Sequence, residues 1–141
     1  MSKGSDYERE LIHEFWKRGW AAFRAAGSGS QQYPCPDLIA SNGERVLVIE
    51  AKYTKDDRKY IMREERDALR IFAKNYPGNV EERIAVRFKR DTTWYLIPST
   101  DLAETKKHYK VSRDILSEKG KTLRDECPPS TIKEPEDSKV L

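Results

Sequence analysis

The chain has 141 residues, 36% of them charged, yet 27 Lys and Arg against 24 Asp and Glu leave a net charge of only +3. That length suits one domain around one hydrophobic core, and the near balance of charge permits nucleic-acid binding without arguing for it. No apolar run approaches bilayer-spanning length and "MSKGSDYERE" lacks the apolar stretch of a signal peptide, so the expectation is a soluble, cytoplasmic protein with no membrane partner.

The two cysteines, Cys35 and Cys127, have no C-x-x-C or histidine companions, and His13 and His108 are the only histidines. Neither a structural zinc site nor a histidine-based centre is expected, and free thiols fit a reducing compartment.

In chain order, Leu11, Ile12, Phe15 and Trp16 recur at helical spacing between Ser5 and about Arg18, and Gly19 stops them. "WAAFRAAG" reads as a short strand and "SGSQQYPCP" as a loop. Leu38 to Ala40 and Arg45 to Lys52 flank "SNG", a hairpin signal. "KYTKDDRKY" reads as a basic loop. A second helix runs from about Arg63 to Tyr76, with Ala68, Leu69, Phe72, Ala73 and Tyr76 on one face and Pro77-Gly78 as its stop. "RIAVRF" and "TWYLIP" read as two more strands, and "SRDILSEK" as a weak helix. Residues 1–126 form one domain in this reading. The proline- and charge-rich stretch 127–141, "CPPSTIKEPEDSKVL", reads as a disordered tail. The order helix, three strands, helix, two strands predicts an α/β fold, a mixed sheet with helices packed on it.

The chemistry gathers around the most apolar strand. Glu50 and Lys52 are two apart, so their side chains leave the same face, while Leu47, Ile49 and Ala51 take the other. An isolated E-x-K at a strand end would be a weak surface pair. Asp37 changes the reading, because the hairpin folds its strand back beside the second and brings it to Glu50. Two carboxylates and the Ala51 carbonyl make an oxygen-only site of the kind Mg²⁺ prefers, and a neighbouring lysine would stabilise negative charge developing on a phosphodiester. Glu8 falls within the apolar stripe of the first helix and can face that site. Ser5-Asp6-Tyr7-Glu8 also matches a capping box, in which Glu8 merely bonds the Ser5 amide. Both roles stand open.

Arg9, Arg24, Lys55, Arg58 and Lys59 are candidates for holding DNA phosphates, and "SGS" at 28–30 could add amides or a hydroxyl. On the second helix, Leu69, Phe72 and Tyr76 could pack on the sheet or on a second copy, with Ile71 widening the apolar surface.

Pro36-Asp37 followed by Glu50-Ala51-Lys52 resembles the PD-(D/E)xK nuclease signature. Together with "KGSDYERELI", "FRAAGSGS" and "PDLIASNGERVLVIEAK", the match from Lys3 to about Ile97 is similar to the archaeal Holliday junction resolvases. The resemblance implies a restriction-endonuclease-like mixed β-sheet flanked by helices and a homodimer. It also implies a Mg²⁺-dependent endonuclease (Mn²⁺ able to stand in) that nicks opposed strands of four-way junction DNA. It places Glu8, Asp37 and Glu50 at the metal, Lys52 as catalytic lysine, Arg9 and Arg24 near the scissile phosphate, Ser28 at a functional serine, and Phe72 and Tyr76 on the dimer helix. Two other readings are a nuclease acting on other DNA structures and a catalytically silent binding module. The intact Asp37, Glu50 and Lys52 argue against the second.

Overall fold

The computed structural model describes residues 3–25 and 33–134, with side chains from Asp6 onward. Helix α1 (Lys3–Lys17) buries Leu11 and Phe15, one turn apart. It ends in a Schellman motif: the Gly19 amide donates to the Trp16 carbonyl at 3.1 Å and the Trp20 amide to the Phe15 carbonyl at 3.0 Å, with Gly19 at φ +79°. A Cβ on Gly19 would lie 1.9 Å from the Ser130 carbonyl oxygen, so both the backbone angle and the close approach require glycine.

Strands β1 (Ala21–Arg24), β2 (Leu38–Ser41) and β3 (Val46–Thr54) form an antiparallel meander, with Ser41 opposite Val46 across the expected Asn-Gly loop. Asn42 Oδ1 organises that loop by accepting from the amides of Glu44 and Arg45, at 2.9 and 2.8 Å. After β4 (Arg58–Met62), helix α2 (Arg63–Asn75) carries the chain across so that β5 (Val80–Phe88) pairs parallel to β3. Strand β6 (Trp94–Ile97) returns antiparallel. There follow a single 3₁₀ turn, β7 (Ala103–Glu104), β8 (His108–Ser112), α3 (Arg113–Lys119), β9 (Lys121–Thr122) and α4 (Leu123–Glu126). The six-stranded sheet has the order β1-β2-β3-β5-β6-β9, and a separate three-stranded sheet has the order β4-β8-β7.

The mixed α/β architecture agrees with the sequence reading, with more strands than it foresaw. "KYTKDDRKY" is a strand end, a turn and the start of β4. Only Ile61 of "RKYIM" is buried, so that segment lacked a clear period. Strand β5 begins three residues ahead of "RIAVRF" because its charged start is neutralised. Arg45 forks onto Glu81 at 2.8 and 3.1 Å, Arg83 meets Glu126 at 2.5 Å, and Glu82 accepts the Ser99 amide at 3.2 Å.

Two cores lie on the two faces of the main sheet. One joins α1 to Leu38, Ala40, Leu47, Ile49 and Leu96, and the other joins α2 and the small sheet to Val48, Ile84, Val86 and Ile97. The tail boundary at 127 needs correction: Cys127 is fully buried in the α1 core, and the Ser130 amide donates to the Arg18 carbonyl at 2.6 Å. The body therefore runs past residue 126, and residues 135–141 lie outside those described. Among the described residues no helix is long and apolar enough to cross a membrane.

Candidate active site

The site forms where β2 stops and β3 continues. Leu38 opposes Ile49, and beyond that point β5 is the one strand paired with β3 among the described residues. Asp37 extends the ladder by one step, its amide donating to the Ile49 carbonyl at 2.9 Å while its own carbonyl accepts from the Ala25 amide at 2.9 Å. The next outward-facing amide of β3, that of Ala51, has no strand partner among the described residues. It donates instead to Asp37 Oδ2 at 2.9 Å. By strand alternation the Ala51 carbonyl lies on the same unpaired edge, facing the site.

Glu50 and Lys52 leave β3 on the face that holds Val48, the α2 face. The Glu50 and Asp37 carboxyls lie close enough to share a hydrogen bond when one is protonated. Burial first, then the negative charge of Asp37 and that hydrogen bond, push Glu50 up to about 9, against the partial opposition of Lys52. Two carboxyls in contact at a mostly buried position want a cation, and one oxygen from each plus the Ala51 carbonyl is a hard donor set suited to a divalent ion. The residues present fit one.

Lys52 Nζ lies 3.9 Å from Glu50 Oε1 and makes a tight ion pair with Glu65 Oε2. The other Glu65 oxygen accepts the Met62 amide at 3.1 Å, the return bond of a third-position carboxylate to the start of α2. Sequence reasoning missed Glu65. Its signal was its place three residues into a helix whose apolar face packs the same sheet face as Glu50 and Lys52.

Glu8 reaches the site from α1, on the opposite face. The helix begins at Lys3, so Ser5 lies inside it and cannot serve as its cap. Glu8 Oε1 instead pairs with Arg24 Nε at 2.8 Å. Burial and the charge of Asp37 raise its pKa, and Arg24 and Lys52 pull the other way. Glu8 does not join Asp37 and Glu50 as a three-carboxylate cluster: among the described residues no three of His, Cys, Asp and Glu come together closely enough to hold a metal ion. The α1 register is secured nearby. Tyr7 stacks on Tyr53 with ring centroids 3.7 Å apart, and Glu10 accepts from Arg87 at 2.9 and 3.2 Å and from Trp94 at 2.8 Å.

The other candidates are more dispersed. Arg24, at the end of β1, pairs with Glu8. Arg9 makes an exposed pair with Asp6 at 3.0 Å on the first turns of α1. Lys55 lies on the turn past Thr54, and Arg58 and Lys59 open β4. Ser28 lies outside the described residues. On α2, Leu69 is only 1% exposed and buried in its own subunit's core, so it does not line a surface as expected; Phe72 is half-buried and Tyr76 and Ile71 are exposed.

A carboxyl pair, a backbone carbonyl and a lysine at the broken edge of a mixed sheet make a donor set of the kind that suits a divalent cation beside a phosphodiester, the class of a nuclease. The family model described as "Archaeal holliday junction resolvase (hjc)" matches residues 1–132. The chain belongs to that family. It is 38% identical over 114 residues to a crossover junction endodeoxyribonuclease Hjc of Archaeoglobus fulgidus, covering 81% of this chain and 82% of that one. To the protein of the same name from Methanocaldococcus jannaschii it is 35% identical over 86 residues, 61% of this chain and 59% of that one. The 1.6 Å structure of the Archaeoglobus fulgidus Hjc, described as a Holliday junction resolvase, superposes with a TM-score of 0.81 over 88% of this chain and 99% of that one, at 33% identity.

Proposed function

We propose that this chain is a structure-selective DNA endonuclease that resolves four-way junctions by paired hydrolysis of phosphodiester bonds in opposed strands. The observation carrying the reading is the contact between the Asp37 and Glu50 carboxyls on the unpaired edge of β3, with Lys52 on the same face, in a member of the resolvase family. Asp37, Glu50 and the Ala51 carbonyl would hold a divalent cation, Mg²⁺ by the hardness of the donors, which supplies charge neutralisation at the phosphate and acidifies a water. Asp37 meanwhile fixes the Ala51 backbone through its amide. Lys52, oriented by Glu65, places positive charge where the phosphorane develops, and Arg24, held by Glu8, offers a second cation at the rim.

A four-way junction has approximate two-fold symmetry, and a homodimer would present two sites in that relation. Exposed Ile71 on α2 and Tyr76 just past its end, with half-buried Phe72, support association through this helix. A cytoplasmic place on DNA follows from the same reading.

The test compares nicking of a synthetic four-way junction with a linear duplex of the same arms, with Mg²⁺ and with EDTA. Paired, Mg²⁺-dependent nicks confined to the junction are expected. Equal cutting of both substrates would remove the junction assignment, and binding without cleavage would favour a silent module.

A further inference from the structure

The outer face of the small sheet carries none of the carboxyls, the lysine or the backbone carbonyl of the site described above. Side chains alternate across β4 and β8, and Ile61, Tyr109 and Val111 pack inward. The register Arg58↔Ser112, Tyr60↔Lys110 and Met62↔His108 puts those six side chains together on the outward face. Tyr60 is 49% exposed and Met62 53% exposed. The His108 ring stands 6.3 Å from that of Tyr60. Among the described strand positions of this face none carries a carboxylate; Asp57 and Asp114 border it beyond the strand ends, where Arg113 pairs with Asp57 at 3.4 Å, so Tyr60 stands between Arg58 and Lys110.

The strand that carries this face is joined to the site through the start of α2. Glu65 holds Lys52 with one oxygen and the Met62 amide with the other. From Met62, Tyr60 is two residues along the strand, about 7 Å, which spans two steps of about 3.4 Å along one strand of a duplex. Cations alone would serve a surface that reads only backbone. An exposed ring flanked by them fits a base that has lost its stacking partner. A continuous duplex shows no base faces, whereas a branch point exposes them at the ends of its arms.

Resting on the junction-nuclease reading, we propose that the outer face of β4–β8 is a DNA-contact surface. On it Tyr60 stacks on a base exposed at the branch point while Arg58 and Lys110 hold the adjacent phosphates. Tyr60 thereby helps distinguish a junction from a duplex.

The experiment uses the full-length protein in EDTA, which prevents cutting, with junctions carrying 2-aminopurine at the branch point and a matched duplex. Wild type binds the junction more tightly than the duplex and quenches the probe. Tyr60→Ala lowers junction affinity about tenfold, abolishes the quench and leaves duplex affinity unchanged. Tyr60→Leu, which keeps bulk but has no π-face, does the same should the alanine variant fold poorly. Tyr60→Trp and Tyr60→Phe retain both signals. Arg58→Ala with Lys110→Ala weakens both substrates and makes the salt dependence shallower by about two counterions.

Unchanged junction affinity and quench in Tyr60→Ala and Tyr60→Leu would overturn the proposal. So would a change in oligomeric state by sedimentation, which would make the face a contact between copies of the chain. Equal wild-type affinity for junction and duplex would instead remove the junction reading on which it rests.

Discussion

Glu65 joins Lys52 to the first turn of α2: one carboxylate oxygen meets the ammonium, the other the Met62 amide. The orientation of the lysine thus depends on where the helix begins. Glu65→Ala is expected to slow single-turnover junction cleavage by about 10–100-fold, the range for a residue that orients a functional group. Junction affinity in EDTA should be nearly unchanged. Glu65→Gln keeps an acceptor for one of the two partners and should fall between. A binding defect as large as the rate defect would mean that Glu65 acts by holding the fold.

The carboxyl pair makes stability depend on pH. Glu50 is raised from an ordinary 4.5 to about 9, so the folded chain keeps a proton that the unfolded chain releases between those values. The associated stabilisation is complete below about pH 4.5 and lost as pH rises through about 9. Thermal scans in EDTA should therefore show the Glu50 contribution shrinking from pH 5 to 9. Asp37→Asn keeps an acceptor for the Ala51 amide and removes the like charge. It should raise stability at pH 8 by about 1–2 kcal/mol, about one pKa unit's worth or slightly more, while abolishing cleavage. Added Mg²⁺ should stabilise the wild type more at pH 8 than at pH 5, because binding must displace that proton. Mg²⁺-dependent stabilisation in Asp37→Asn equal to wild type would move the cation elsewhere.

Neighbouring apolar residues on α2 should behave differently. Leu69→Ala, in the core, should cost about 2–5 kcal/mol of stability. Ile71→Ala, at the surface, should change monomer stability by no more than about 0.5 kcal/mol. Phe72→Glu and Tyr76→Glu should shift the protein toward monomer in sedimentation at micromolar concentration. A stable dimer in both variants would place the interface away from α2.

Truncation tests the corrected tail boundary. Removing residues 135–141 should leave the melting temperature unchanged. Removing 127–141 should lower it by several degrees, because Cys127 leaves the α1 core and the bond from the Ser130 amide to Arg18 is lost. The Cys127 thiol, pushed up to about 12 by burial, should also resist alkylation until the chain unfolds.

Much of the site was legible because it lies on consecutive elements. Asp37, Glu50 and Lys52 are brought together by one hairpin whose turn residues announce it, and alternation alone puts Glu50 and Lys52 on one face. Residues whose place depends on distant packing were not. Glu65 acts through the position of α2 after an unforeseen strand. Glu8 needed the true start of α1 to decide between a cap and an ion pair. Arg9 turns toward Asp6, although its neighbour in sequence faces the site. The charged start of β5 concealed a strand because its carboxylates are neutralised by arginines far apart in the chain.

The early end of β2 has one more consequence. An unpaired stretch of strand is a template on which another chain can add itself, and this one sits beside the apolar run from Val46 to Ile49. Asp37 occupies the free Ala51 amide, and the charges of Glu50 and Lys52 make an added strand costly. The groups suited to cutting DNA are therefore also the protein's guard against self-association at this edge. Neutralising variants are expected to gain thermal stability yet aggregate more readily on refolding, a trade visible as light scattering during dilution from denaturant.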